Sequence, residues 1–105
     1  MIHVLALITA HPGKRGELLD AIRANTNTVL AEEGCIEYRT AVDAADPAPA
    51  WSPLGPDTVA IIEKWESRAA LRRHATAPHM LAYAAAVKDI VAQRFIHVLQ
   101  PAPDS

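Results

Sequence analysis

Within IIEKWESRAALRRHATAPHM, residues 61–80, a strand-like apolar run carries Glu63 and Trp65, and the helical run after it carries His74 and His79. Successive strand residues point to opposite faces, so Ile61, Glu63 and Trp65 share one face and Ile62 and Lys64 the other. A carboxylate beside a large aromatic ring loses solvation if it is buried, which raises its pKa. A nearby histidine counters that by favouring the charged form. Such a Glu/His pair is suited to taking a proton from a phenolic hydroxyl. The same residues fit a plainer reading, with Glu63 at the exposed end of the strand and Trp65 as core.

The other candidates are less pointed. His74 and His79 lie five apart with Pro78 between them, whereas zinc-binding pairs on a helix lie four apart, and no third ligand is near them in the sequence. No metal is expected, and a capping or hydrogen-bonding role suits at least one of the two. His3 and His97 become neighbours if the first and last strands pair, and His11 reads as a solvated turn residue. Tyr38 and Tyr83 are phenolic donors near a pocket or amphipathic core filler. Cys35 is the sole cysteine, which excludes an intrachain disulfide, and no adjacent base activates it. Arg72-Arg73 reads as a solvated helix face.

These residues need a scaffold. Residues 2–9, IHVLALIT, are apolar at odd and even positions, as in a strand covered on both faces. His11-Pro12-Gly13 is a turn. In residues 14–33, Leu18, Leu19, Ile22, Val29 and Leu30 recur at helical spacing, and Gly34 stands where a left-handed helix cap belongs. Residues 35–43 alternate as a second strand. Residues 44–56 hold Pro47, Pro49, Pro53 and Pro56, which excludes a helix or central strand, and Trp51 suggests that this variable loop packs on something. Residues 58–65 form a third strand. Ser67 caps a short helix through His74, Pro78 opens another reaching about Val91, residues 94–99 form a last strand, and 101–105 are a tail. The order β-α-β-β-α-β is the ferredoxin-like arrangement of an α+β domain. Helices cover one face of such a sheet, so strands apolar on both faces predict a homodimer.

At 105 residues the chain makes one domain, 1–105, half apolar and about a fifth charged. A formal charge of −2 offers no pull toward nucleic acid or an anionic membrane. No apolar run is long enough to span a bilayer, and no basic region precedes the first strand, so a cytoplasmic protein is expected. The four glycines form no phosphate-binding pattern, so nothing points to a nucleotide or flavin cradle.

The chain resembles the antibiotic biosynthesis monooxygenase family, particularly its small quinol monooxygenase-like members. The resemblance rests on Pro12-Gly13, EEGC with Tyr38 following, VD at 42–43, PD at 56–57, IEKWES leading through Leu71 and His74 to PHM at 78–80, then Tyr83, Val87-Lys88 and the closing VLQP. It implies a dimeric α+β barrel, two ferredoxin-like sheets face to face, with each pocket between a sheet and its own helices. It also implies oxidation of a quinol or small polyphenolic aromatic by molecular oxygen, with no flavin, haem or metal. A deprotonated hydroquinone can reduce oxygen itself, so the protein supplies a dry pocket and a proton acceptor. Carried onto this chain, Trp65 becomes the pocket wall, His74 tuned by Glu63 the proton acceptor, and His79 and Tyr83, with Tyr38, polar contacts to the substrate.

Two departures matter. Polyketide-tailoring members place an asparagine where Ile61 stands, which weakens a polyketide substrate. Haem-degrading relatives need an asparagine near Ala6 and a histidine near Tyr83 and Ala84, which argues against haem degradation. Two other functions remain open: isomerisation of a small phosphorylated signalling molecule, for which Lys64, Arg72 and Arg73 are available, and a non-catalytic dimer binding small hydrophobic molecules.

Overall fold

Residues 2–10 alternate between buried and half-buried side chains, which places Ile2, Val4, Ala6, Ile8 and Ala10 on one face of a strand. This strand, β1 (Ile2–Ala10), is central in a four-stranded sheet in the computed structural model, which describes residues 1–103. The others are β2 (Cys35–Ala41), β3 (Thr58–Trp65) and β4 (Val91–Leu99), in the spatial order β2-β3-β1-β4 with every neighbouring pair antiparallel. Helices α1 (Arg15–Leu30), α2 (Arg68–Thr76) and α3 (Pro78–Val87) complete the chain. Leu18, Ile22 and Val29 of α1 and Val87 of α3 join the buried face of β1 in the core. The expected ferredoxin-like α+β fold is the one observed, with the second helical segment broken into α2 and α3 at Ala77-Pro78. No helix among the described residues is long and apolar enough to cross a membrane.

Four expectations need correction. Helix α1 ends at Leu30 and is closed by the right-handed Ala31, so Gly34 does not cap it. Gly34 instead occupies the turn into β2 at φ +85°, where an added Cβ would lie 2.6 Å from the Ala70 Cβ of α2. Its carbonyl accepts the Glu66 N–H at 2.8 Å, so this turn and the base of α2 are pressed together. Helix α3 stops at Val87, and the chain turns over three residues before β4 starts at Val91. β4 is correspondingly longer than expected, and two residues of the 101–105 tail lie outside the described ones. Trp51 packs on little within the chain and stays 60% exposed.

The second face of the sheet is open. His3, Leu5 and Leu7 of β1 are half-buried there, and their neighbours Ile62, Phe95 and Leu99 are exposed. His3 and His97 share this face but are offset, with His97 opposite Leu5 and His3 opposite Leu99.

Candidate functional site

Strand β3 holds Glu63 opposite Val4 of β1 and Tyr38 of β2, so its carboxylate rises from the middle of the sheet on the helix-covered face. Glu63 is 7% exposed and Trp65 fully buried, which settles the choice between a buried and an edge glutamate. The Trp65 Nε1–H donates to Glu63 Oε1 at 2.9 Å, so the indole both packs and satisfies the carboxylate. Ser67 starts the next helix with its Oγ accepting the Ala70 N–H at 3.1 Å, the reason α2 begins so soon after β3. Two turns on, the buried His74 comes back over the strand. Its ring lies 4.6 Å from that of Trp65 at 37°, and Tyr38 meets it edge-on at 6.0 Å.

Glu32, in the turn after α1, holds both histidines. Its Oε2 lies 2.7 Å from His74 Nδ1 and 2.9 Å from His79 Nε2. An ionised carboxylate only accepts, so each imidazole presents an N–H to that oxygen. That leaves the second ring nitrogen of His74, Nε2, facing Glu63 Oε1 across 3.9 Å. That gap is too wide for a hydrogen bond, and a single hydroxyl set to one side of it is within reach of both atoms.

Beside this pair lies a cavity of about 340 Å³, within the range that takes small organic ligands. Val4, Ala6 and Ile8 form its floor and Leu71, Met80 and Leu81 part of its cover, with Glu63, His74, Tyr38 and Tyr83 as its polar groups inside. Arg94, Ile96 and Val98 of the edge strand β4 line its mouth. Burial pushes the Glu63 carboxyl above the usual range, partly offset by the Trp65 hydrogen bond and the charge of His74. Burial also raises both phenols: Glu63 adds to the rise at Tyr38, and Arg94 opposes it at Tyr83. Among the described residues, the Tyr83 hydroxyl is the one buried side-chain polar atom without a hydrogen-bond partner.

Of the residues singled out in the sequence, Glu63, His74, Tyr38 and Tyr83 line the cavity together. Two do not. Trp65 sits behind Glu63 and His74 as their support and not as the pocket wall, because its indole is wholly enclosed by core. His79 faces a separate open concavity with Glu32 and Arg73, drawn there by its contact to Glu32. Sequence reasoning missed Glu32 and Arg94. Glu32 stands in the EEGC segment, 42 residues from His74, and only the fold brings them together. It is also the third ligand that spacing did not offer: Glu32, His74 and His79 have ligand atoms within 4.8 Å of one another and are the described set able to hold a metal ion. The two short contacts already satisfy both imidazoles as a hydrogen-bonded tie.

The model for the antibiotic biosynthesis monooxygenase family matches residues 1–86. The chain belongs to this family. It is similar to the "Probable quinol monooxygenase YgiN" of Escherichia coli strain K12, at 42% identity over 103 residues covering 96% of this chain and 98% of that one. Among solved structures, PA3566 of Pseudomonas aeruginosa matches with a TM-score of 0.79 at 28% identity, over 96% of this chain and 93% of that one. Rv0793 of Mycobacterium tuberculosis matches with a TM-score of 0.79 at 26% identity, over 99% and 97% of the two chains. This family member is an enzyme of the monooxygenase type, as the resemblance implied.

Proposed function

We propose that this monooxygenase oxidises a quinol or small polyphenolic aromatic with molecular oxygen and without a bound cofactor. The observation that carries the reading is the apolar cavity closed at one end by the buried Glu63/His74 pair. A substrate hydroxyl set beside the 3.9 Å gap reaches both a carboxylate of raised basicity and the imidazole Nε2, which in its neutral form accepts a proton. Loss of its proton gives an electron-rich phenolate in a pocket of low polarity. The phenolate passes an electron to oxygen, and the radical pair joins to form a C–O bond at a ring C–H. The resulting hydroperoxide loses water, leaving a carbonyl at that carbon. The balance is quinol plus O₂ giving hydroxyquinone plus water: one oxygen atom enters the ring, the other leaves as water, and the ring is the reductant. Tyr38 edge-on to His74 and Tyr83 across the cavity are the phenolic contacts to the substrate.

In this reading the enzyme is a homodimer, its open sheet face covered by a second copy. It works in the cytoplasm, where an unpaired thiol such as Cys35 persists. His79 serves by sharing Glu32 with His74 and not by touching substrate.

Oxygen uptake by metal-free protein tests the reading, with a panel of reduced naphthoquinones and polyphenols and with His74→Ala as the background for autoxidation. Saturable uptake that falls at least about a hundredfold in His74→Ala is the expected result. Uptake that is no faster than the variant's across the panel would remove the proposed chemistry.

A further inference from the structure

Two donors in the cavity have no part in the proton transfer just described. Arg94 enters at the mouth from β4, and Tyr83 reaches in from α3. The strand registers fix where the guanidinium stands relative to the base. Glu63 is opposite Val4 on one side of β1, and Arg94 is opposite Ile8 on the other. Val4, Ala6 and Ile8 all point into the cavity, so Glu63 and Arg94 project from the same face at its two ends. Four residues along the strand and two inter-strand spacings across it separate their backbones by roughly 16 Å. Glu63 is held back by Trp65, while the Arg94 side chain is long enough to lean inward, which leaves between their charged ends a span of about two fused aromatic rings.

The two ends differ in kind. At the Glu63/His74 end the protein offers acceptors. At the other it offers donors with nothing to receive them. Arg94 forms no ion pair among the described residues, and the buried Tyr83 hydroxyl has no hydrogen-bond partner. Both donors line the same cavity. The other basic side chains singled out in the sequence, Lys64, Arg72 and Arg73, lie outside this cavity. A neutral quinol can offer Tyr83 a hydroxyl but leaves the Arg94 charge without a counter-ion. A ligand bearing a carboxylate across the ring from its hydroxyl would satisfy both ends, because a guanidinium and a phenol O–H can share one carboxylate.

We infer that the ligand is a hydroxylated aromatic carboxylic acid, its hydroxyl set between Glu63 and His74 and its carboxylate held by Arg94 and Tyr83. The hydroxyl end rests on the function proposed above, and the carboxylate end is independent of it.

The matched probes are 6-hydroxy-2-naphthoate and 2-naphthol, which share ring and hydroxyl and differ by the carboxylate. Calorimetric titration of the full chain at pH 7.5 should find the naphthoate bound about tenfold more tightly. In Arg94→Gln the two ligands should bind alike, and Tyr83→Phe should reduce the preference severalfold. Because Arg94 is an exposed side chain on an edge strand, its replacement leaves the fold intact. Equal or weaker binding of the naphthoate by the native chain overturns the inference, as does a preference that survives Arg94→Gln. Naphthol binding that depends on His74 but shows no carboxylate preference defeats this inference alone. If neither ligand binds, the aromatic-pocket reading falls with it.

Discussion

Ionising Glu63 works against the fold and for the chemistry. Its folded carboxyl holds a proton more tightly than the unfolded one, because burial opposes the charge. From the ordinary glutamate range up through the raised value, the native state therefore binds more protons and stability falls as pH rises. Glu63→Gln removes that penalty and still offers an oxygen to the Trp65 N–H. Thermal unfolding should show the variant gaining on the parent as pH rises through and above the ordinary glutamate range, while its turnover drops. A gain independent of pH would mean the carboxylate carries no desolvation cost. The same ionisation shapes the rate: kcat/KM should fall on the acid side at a pH above the usual glutamate range. Trp65→Ala tests the support behind the pair and should cost about 3–5 kcal/mol, since it empties a fully enclosed site and orphans the carboxylate.

Helix α2 and the turn before β2 act together as the frame for His74. Gly34→Ala meets Ala70 at 2.6 Å and forces an alanine to φ +85°, so a loss of about 2–4 kcal/mol is expected in chemical denaturation. Because that turn also carries Glu32, the variant should lose oxygen uptake even where it remains folded. Uptake equal to the parent's would separate the turn from the site. Ser67→Ala, by contrast, removes one cap and should cost about 1 kcal/mol. At this scale much was legible in the sequence. The bounds of β3, the Ser67 cap and Pro78 at a helix start follow from patterning and local chemistry, which neighbouring residues determine. The end of α3 was not legible: AAAVKDIV has no glycine or proline to stop a helix, and its apolar residues fit either period. Glu32 and Arg94 were missed for another reason. A charged residue in a turn or on an edge strand looks solvated until distant partners are known.

For the molecule as a whole, the sheet sets the outstanding requirement. Phe95 and Leu99 are each about half exposed on the side the helices leave bare, with Ile62 on the same face. Apolar side chains contiguous across strands are costly in water, and a second copy would cover them with the same surface. Sedimentation should give twice the chain mass for the parent and a shift toward the single-chain mass for Phe95→Glu; a parent that sediments as one chain at all concentrations would rule the pairing out. The opposite character belongs to the proline-rich segment. Asp43 accepts the Leu54 N–H at 2.8 Å and the Gly55 N–H at 2.9 Å, one bond on each carboxylate oxygen, so the excursion between them is tied at its neck. Most of the side chains beyond that neck are exposed. Doubling the length of the excursion costs only about 0.6 kcal/mol in closure entropy. A peptide tag or a fluorophore anchor could therefore be spliced between Asp46 and Trp51, giving the enzyme a handle for immobilisation that leaves the neck closed.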